Sequence, residues 1–171
     1  MRMSARWRWV LAAAICGLAL SACEAPKPDV TFYGNRTAIE TGPTRWCDVD
    51  QTAQTVNCTE AEAGDVPHLW MGPGRGVQIN VPGEVGETPW AVYFRYLNPD
   101  DELQDARSEI IRDGRLSYTL EPLDEADQLV YVEVRSGFVL TAGAQTGVDF
   151  AATQSWLLLI DPPAGEPAAA P

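Results

Sequence analysis

The residue with the clearest chemistry in this sequence is Cys23, which ends the stretch Leu20-Ser21-Ala22-Cys23. An apolar run begins at Val10, and three arginines precede it: Arg2, Arg6 and Arg8. A basic start followed by an apolar run too short to span a bilayer is typical of a secretory signal peptide. The small residues before the cysteine are typical of a lipobox, in which the thiol is the nucleophile that accepts a diacylglycerol. We therefore predict cleavage before Cys23 and a lipid anchor on it; the alternative is an uncleaved helix with an incidental cysteine.

Two further cysteines, Cys47 and Cys58, remain after cleavage, since Cys16 lies in the signal peptide. An even pair in an exported protein most simply forms a disulfide. Closing a loop of this size stabilises the fold by about 2.5–3 kcal/mol in the chain-entropy model. The alternative is a metal site that uses both thiols and His68, but zinc prefers four ligands at characteristic spacing, and His68 is the only histidine. We predict a disulfide and no metal.

Catalytic chemistry has little support in the sequence. His68 is the only candidate for a histidine base, and no G-x-S-x-G, S-x-x-K or H-E-x-x-H signature is present. Carboxylates are abundant in two loops, around Asp101 and Asp124, but no companion motif marks a pair as acid and base. The sequence predicts no catalytic residue and no cofactor. An envelope hydrolase built on Asp/Glu pairs is the alternative.

Aromatic side chains offer a second type of site. Trp46 and Trp70 lie in turn-rich segments near the predicted disulfide loop, whereas Trp90 and Trp156 lie in apolar strand-like segments. Exposed tryptophans commonly mark a binding surface. We predict that Trp46 and Trp70 contribute to a ligand surface.

The charge of the chain limits its partners. The 171 residues carry 24 acidic and 12 basic side chains, a net charge of -12, and loss of the three signal arginines makes the mature charge -15. Nucleic-acid binding requires clustered Lys and Arg, so a nucleic-acid partner is excluded. Anionic lipid headgroups repel such a domain, so a covalent anchor must hold it to a membrane.

The elements that position these residues are short strands separated by turns, with 46% hydrophobic residues to form one core. Asp101–Arg112 is the one helical candidate, and we predict a loop there. Asp127 and Tyr131 have the spacing of a tyrosine corner, which favours an immunoglobulin-like β-sandwich of about eight strands. The predicted strands are 30–33, 37–41, 77–81, 90–97, 116–120, 129–134, 137–141 and 155–160.

The predicted domain organisation has four parts. Residues 1–22 form the signal peptide and 23–28 a proline-interrupted tether. Residues 29–161 form the sandwich domain. The remainder, 162–171, is rich in proline and alanine and is predicted to be a disordered tail.

The order of several segments resembles a known family. These segments are Pro28-Asp-Val-Thr-Phe-Tyr-Gly34, Gly42-Pro43 before Trp46-Cys47, then Cys58, Val66-Pro67, Val77-Gln-Ile-Asn-Val-Pro82 and Pro89-Trp90. Over roughly Pro28 to Val134 the chain resembles a family of uncharacterised actinobacterial envelope lipoproteins, the domain of unknown function 2771. The resemblance implies an exported, membrane-attached, mostly β domain and transfers no catalytic residue.

Together these features predict a lipid-anchored protein on the extracytoplasmic face of the cell membrane. We expect a non-enzymatic binding or assembly module whose partner, beyond the membrane itself, is an envelope protein or a glycolipid. A carrier of an apolar envelope lipid, with a cavity between the sheets, is a variant of this hypothesis.

Overall fold

The computed structural model describes residues 26–50, 52–53, 55–143 and 147–163, with the side chains of 141–143 and 147–149 left aside. In this part of the chain eleven strands form two sheets, with one 3₁₀ turn (Ala63–Asp65) and one short helix, α1 (Gly83–Gly86). The strands are β1 (Val30–Gly34), β2 (Thr37–Thr41), β3 (Arg45–Asp50), β4 (Thr55–Glu60), β5 (His68–Trp70), β6 (Val77–Asn80), β7 (Trp90–Leu97), β8 (Leu103–Arg107), β9 (Ser117–Leu120), β10 (Gln128–Gly143) and β11 (Gly147–Asp161).

The smaller sheet has the order β2-β1-β6-β9, with all neighbours antiparallel. The larger sheet has the order β4-β3-β11-β10-β7-β8, and β5 adds a short parallel pairing to β11. Strand β6 shows why these segments form a sheet: Val77 and Ile79 are buried, while Gln78 between them is exposed. This alternation places one face of each strand in a common core.

The core lies between the two sheets, and its largest fully buried side chains include Trp90, Trp156, Phe32 and Ile79. The predicted all-β sandwich with one disulfide is confirmed. None of the helices among the described residues has the length and apolarity that a membrane crossing requires.

Several predicted strand boundaries were wrong. The segment Asp101–Arg112, predicted as a loop, contains β8, in which Ala106 packs against the core while Asp105 and Arg107 are exposed. The predicted strands 129–134 and 137–141 are one continuous strand, β10. The turn-rich segments around Trp46 and Trp70 contain β3, β4 and β5, so the strand count rises from about eight to eleven.

The predicted tyrosine corner is also wrong. A register shift between Leu129 and Tyr131 turns Tyr131 to the outer face of the large sheet. Its phenol donates to Glu133 Oε2 at 2.6 Å, not to a backbone carbonyl. Asp127 is buried and accepts a hydrogen bond from the Asp124 backbone N–H at 2.9 Å.

Strands β10 and β11 extend beyond the sandwich as a two-stranded projection. Strand β10 pairs with β7 only as far as Ser136, and β11 pairs with β3 only at Gln154 and Ser155. Residues 138–143 and 147–152 therefore pair only with each other within the described structure. We refer to these residues as the β10–β11 arm.

Candidate functional site

The predicted disulfide joins Cys47 to Cys58, which are directly opposite each other on β3 and β4. The disulfide links the two strands of the β3–β4 hairpin, which pairs with β11 only at Gln154 and Ser155. The third predicted site cysteine, Cys23, lies outside the described residues, as do the predicted signal peptide and residues 164–171 of the predicted tail.

Trp46 and Trp70 do not share a surface. Trp46 pairs with Gln154 and Trp70 pairs with Asp161, both along β11. Seven residues of an extended strand separate these positions by about 23 Å. Trp46 is half-buried against the core, with Lys27 Nζ 5.7 Å from its ring centroid, whereas Trp70 is 55% exposed.

His68 and the acidic clusters have structural partners. His68 Nδ1 contacts Asp161 Oδ2 at 2.9 Å, and both side chains are partly exposed. The buried acids among the described residues are Asp127 and Glu133, six residues apart along one chain segment, or about 20 Å. A glycosidase requires its two carboxyl groups about 5–10 Å apart. The described residues contain no group of three or more His, Cys, Asp or Glu placed to hold a metal ion.

The structure instead assembles a group of charged and aromatic side chains on the outer face of the large sheet. Residues two apart on a strand share a face, and directly paired residues on neighbouring strands lie side by side. The pairings therefore define three rows across β3, β11, β10, β7 and β8: Arg45-Ser155-Arg135-Ala91, Leu157-Glu133-Tyr93-Arg107 and Leu159-Tyr131-Arg95-Asp105.

We refer to Arg45, Tyr93, Arg95, Arg107, Tyr131, Glu133 and Arg135 as the arginine–tyrosine face. Four of the nine basic residues that follow Cys23 lie in it. Among the described residues, three carboxylates form ion pairs with this face: Glu60 with Arg45, Asp105 with Arg95 and Glu133 with Arg135. Four arginines against three carboxylates leave the face with one net positive charge on a strongly acidic domain.

Glu133 is the centre of this face. Its residue is only 8% exposed, and its Oε2 atom accepts hydrogen bonds from Tyr131 Oη at 2.6 Å and from Arg135 Nε at 2.7 Å. Arg135 Nη2 lies 2.6 Å from the same oxygen. A buried carboxylate requires such partners, because charge without hydrogen bonds is costly in an apolar environment.

The aromatic rings hold the arginines in place. The Arg135 guanidinium lies 4.0 Å from the Tyr93 ring centroid, and the Arg95 guanidinium lies 5.3 Å from that of Tyr131. Arg95 also pairs with Asp105 on β8. Stacked guanidinium groups lose less side-chain entropy when they bind an anion, because they are already ordered.

Two shallow pockets flank Arg135. One, of about 190 Å³, is lined by Arg45, Glu133, Arg135, Ser155 and residues 150–152. The other, of about 160 Å³, is lined by Arg135, Tyr93, Arg95, Tyr131 and residues of β7 and β8. Each pocket is lined by two arginines and one carboxylate, Glu133 in the first and Asp105 in the second.

The chemistry of Tyr131 is that of a hydrogen-bond donor. Burial, together with the hydrogen bond to Glu133, raises the pKa of Tyr131 to about 12. The phenol therefore stays protonated at neutral pH and is a poor base or nucleophile. For Arg135, burial lowers the pKa, but the hydrogen bonds and charge of Glu133 outweigh burial and raise it overall, so Arg135 stays cationic.

The raised pKa of Tyr131 predicts a loss of stability at alkaline pH. The protonated phenol makes its full contribution to the free energy of unfolding below about pH 10, the pKa of tyrosine in the unfolded chain. This contribution is lost as the pH rises through the folded-state pKa of about 12. After allowance for its partial exposure to solvent, we expect a loss of about 1 kcal/mol. Urea unfolding measures the free energy of unfolding of the wild type and of Tyr131→Phe across this pH window. The difference between these two free energies should decrease by about 1 kcal/mol as the pH rises.

Tyr33→Phe, at an exposed site on β1, is the matched control for general alkaline effects. An equal change in both variants would contradict the role assigned to Tyr131.

Sequence reasoning missed the arginine–tyrosine face. A signal existed in the alternation of Tyr93 with Arg95 on one strand, and of Tyr131, Glu133 and Arg135 on another. That alternation predicts two polar strand faces. The register that brings the two strands together is a long-range property, and no local pattern in the sequence gives it.

Comparison with known proteins gives one result. A family model described as "Protein of unknown function (DUF2771)" matches residues 23–161. No curated protein and no solved structure matches the chain.

Proposed function

The chain belongs to the DUF2771 family of proteins of unknown function, and from that premise we propose that it is a lipid-anchored, non-enzymatic binding module of the cell envelope. The anchor is Cys23 on the extracytoplasmic face of the membrane. The binding surface is the arginine–tyrosine face, and its ligand is an envelope molecule that presents a phosphate or carboxylate group.

One observation carries the binding part of this proposal. Four arginines collect on one sheet face of a chain whose acidic residues outnumber its basic residues two to one. Such a distribution attracts an anion to this face while the rest of the domain repels it. The two pockets beside Arg135 provide places where one anionic group can contact two arginines.

Two features support a role in binding over a role in catalysis. The pKa of about 12 keeps the Tyr131 phenol protonated, and the buried acids Asp127 and Glu133 are too far apart to act as a pair. The arginines are ordered by hydrogen bonds and aromatic rings, which suits recognition of an anion.

The binding proposal is tested by titrating the protein with two soluble anions, inorganic phosphate and the sugar acid glucuronate, while NMR follows the Nε–H signals of the arginine side chains. We expect shifts at Arg95 and Arg135 with a Kd of ~1 mM, which corresponds to a binding free energy of about 4 kcal/mol. Because the attraction is electrostatic, affinity should fall as salt concentration rises.

Arg95→Gln should weaken the binding at least tenfold, or about 1.4 kcal/mol. Arg75→Gln is the matched control, because Arg75 is exposed in the loop before β6 and lies outside the arginine–tyrosine face. Equal affinity in the two variants, or no shift with either anion, would overturn the binding proposal.

A further inference from the structure

The β10–β11 arm is unusual in composition. From Gly137 to Ala152 the sequence contains one charged residue, Asp149, although charged residues make up 21% of the chain. Leu140 and Phe150 are directly opposite each other in the arm, and their exposed fractions are 66% and 69%. The arm therefore presents a pair of large exposed apolar side chains at one end of the large sheet.

The chain leaves the sandwich toward its N-terminus at the same end as the arm. The Pro28 carbonyl accepts a hydrogen bond from Trp156 Nε1 at 2.9 Å, and Lys27 lies over Trp46, which pairs with Gln154 at the base of the arm. The other end of β11 is at Asp161, which pairs with Trp70 at the far end of the sheet.

The length of chain before Lys27 limits the distance to the membrane. Lys27 is the fourth residue after Cys23, so a lipid on Cys23 holds the Lys27 backbone within about 14 Å of the attachment point. Along β11, Phe150 lies four residues beyond Gln154, at most about 14 Å in an extended strand, and it also lines the pocket beside Arg45 and Arg135. Leu140 and Phe150 therefore lie within the range that the anchor allows for the bilayer surface.

We propose that the β10–β11 arm lies in the interfacial region of the bilayer, with Leu140 and Phe150 inserted beside the lipid anchor. The inference rests on the anchor at Cys23 in the proposed function. The insertion is shallow, because a two-stranded arm has two open edges, and an open sheet edge cannot enter the hydrocarbon core. Large apolar side chains are suited to the boundary between headgroups and acyl chains.

The charges near the arm agree with a position beside lipid headgroups. Arg45 and Arg135 line the pocket next to Phe150 at the base of the arm. A headgroup phosphate at this level meets arginines, although the domain as a whole is acidic.

The experiment uses the lipidated protein with Leu140→Cys, labelled with an environment-sensitive fluorophore and reconstituted into phosphatidylethanolamine and phosphatidylglycerol vesicles. With Cys23 acylated and Cys47 bonded to Cys58, the introduced cysteine is the only free thiol of the mature chain. Leu123→Cys is the matched control, because Leu123 is 72% exposed in the turn between β9 and β10, at the opposite end of the sheet.

We expect iodide quenching of the label at residue 140 to be on the order of fivefold weaker than at residue 123, and quenching by spin-labelled lipids to occur at residue 140 only. Phe150→Cys should behave as Leu140→Cys does. Flotation of the same samples reports the anchor separately.

Vesicles that float the protein while labels at residues 140 and 123 are quenched equally by iodide would overturn the arm inference and leave the anchor standing. Failure to float would overturn both. A third sample is the Cys23→Ala, Leu140→Cys protein without lipid. If its label at residue 140 is already shielded from iodide, a second copy or another protein surface covers the arm. This result would also overturn the inference.

Discussion

Replacing Cys23 by alanine is expected to remove the processed protein from the membrane fraction almost completely. The proposed anchor has two acyl chains, each contributing about 0.8 kcal/mol per buried methylene, whereas anionic headgroups repel a protein with a net charge of -15 overall. Without the lipid, the chain is either released in mature form or retained as a longer precursor that keeps its signal peptide. Fractionation followed by mass spectrometry measures both location and size.

Cys16→Ala is the matched control for this experiment. Cys16 lies in the apolar run of the predicted signal peptide and is removed with it, so its replacement should leave processing and location unchanged. The lipid anchor would be refuted by Cys23→Ala protein that stays with membranes at the processed size. The β10–β11 arm alone is not expected to retain the protein, because shallow insertion of two side chains is weaker than two acyl chains.

Trp156→Ala is expected to destabilise the fold by about 3–5 kcal/mol, a large part of the about 5–15 kcal/mol that typically holds a domain together. Trp156 is completely buried in the core, and its indole N–H binds the Pro28 carbonyl. The variant therefore loses core packing and the contact that fixes where the chain leaves the sandwich toward Cys23. Urea unfolding with the disulfide intact measures the change in the free energy of unfolding.

Trp70→Ala is the comparison of the same residue type, because Trp70 is more than half exposed. It should cost less than about 1 kcal/mol. Trp156→Phe keeps most of the packing and removes the hydrogen bond, so we expect an intermediate loss of about 1–2 kcal/mol. Equal losses for the Trp156→Ala and Trp70→Ala variants would show that the core is not where the structure places it.

The sequence predicted the strands that have a regular pattern of burial. Strands β6 and β7 alternate or carry long apolar runs, and both were predicted close to their observed bounds. Strand β4 was missed because all six of its residues are exposed, which leaves no hydrophobic period to detect. Strand β8 was predicted as a loop because Ala106 is a weak apolar signal among charged neighbours, and its pairing with β7 supplies the missing stability.

The candidate sites also differ in whether a local sequence pattern or the pairing of distant strands creates them. The Cys47–Cys58 bond was predictable because an even pair of cysteines at short spacing, in a chain expected to be exported, carries the information locally. The arginine–tyrosine face was not, because Arg45, Arg95 and Arg135 are far apart in sequence and meet only through the register of four strands. Trp46 and Trp70 were predicted to contribute to a ligand surface because they lie in turn-rich segments near the disulfide loop, and in the structure they pair with positions of β11 that are seven residues apart.

The place of β11 in the large sheet also sets the order in which the protein can fold. This strand lies between β3 and β10, yet it follows every other strand of the sheet in the chain. During synthesis or export, the β3–β4 hairpin has no partner in the sheet until residues 154 and 155 arrive. The large sheet is therefore complete only after β11 has emerged, and a chain that stops between β10 and β11 leaves β4-β3 and β10-β7-β8 as two separate pieces of that sheet.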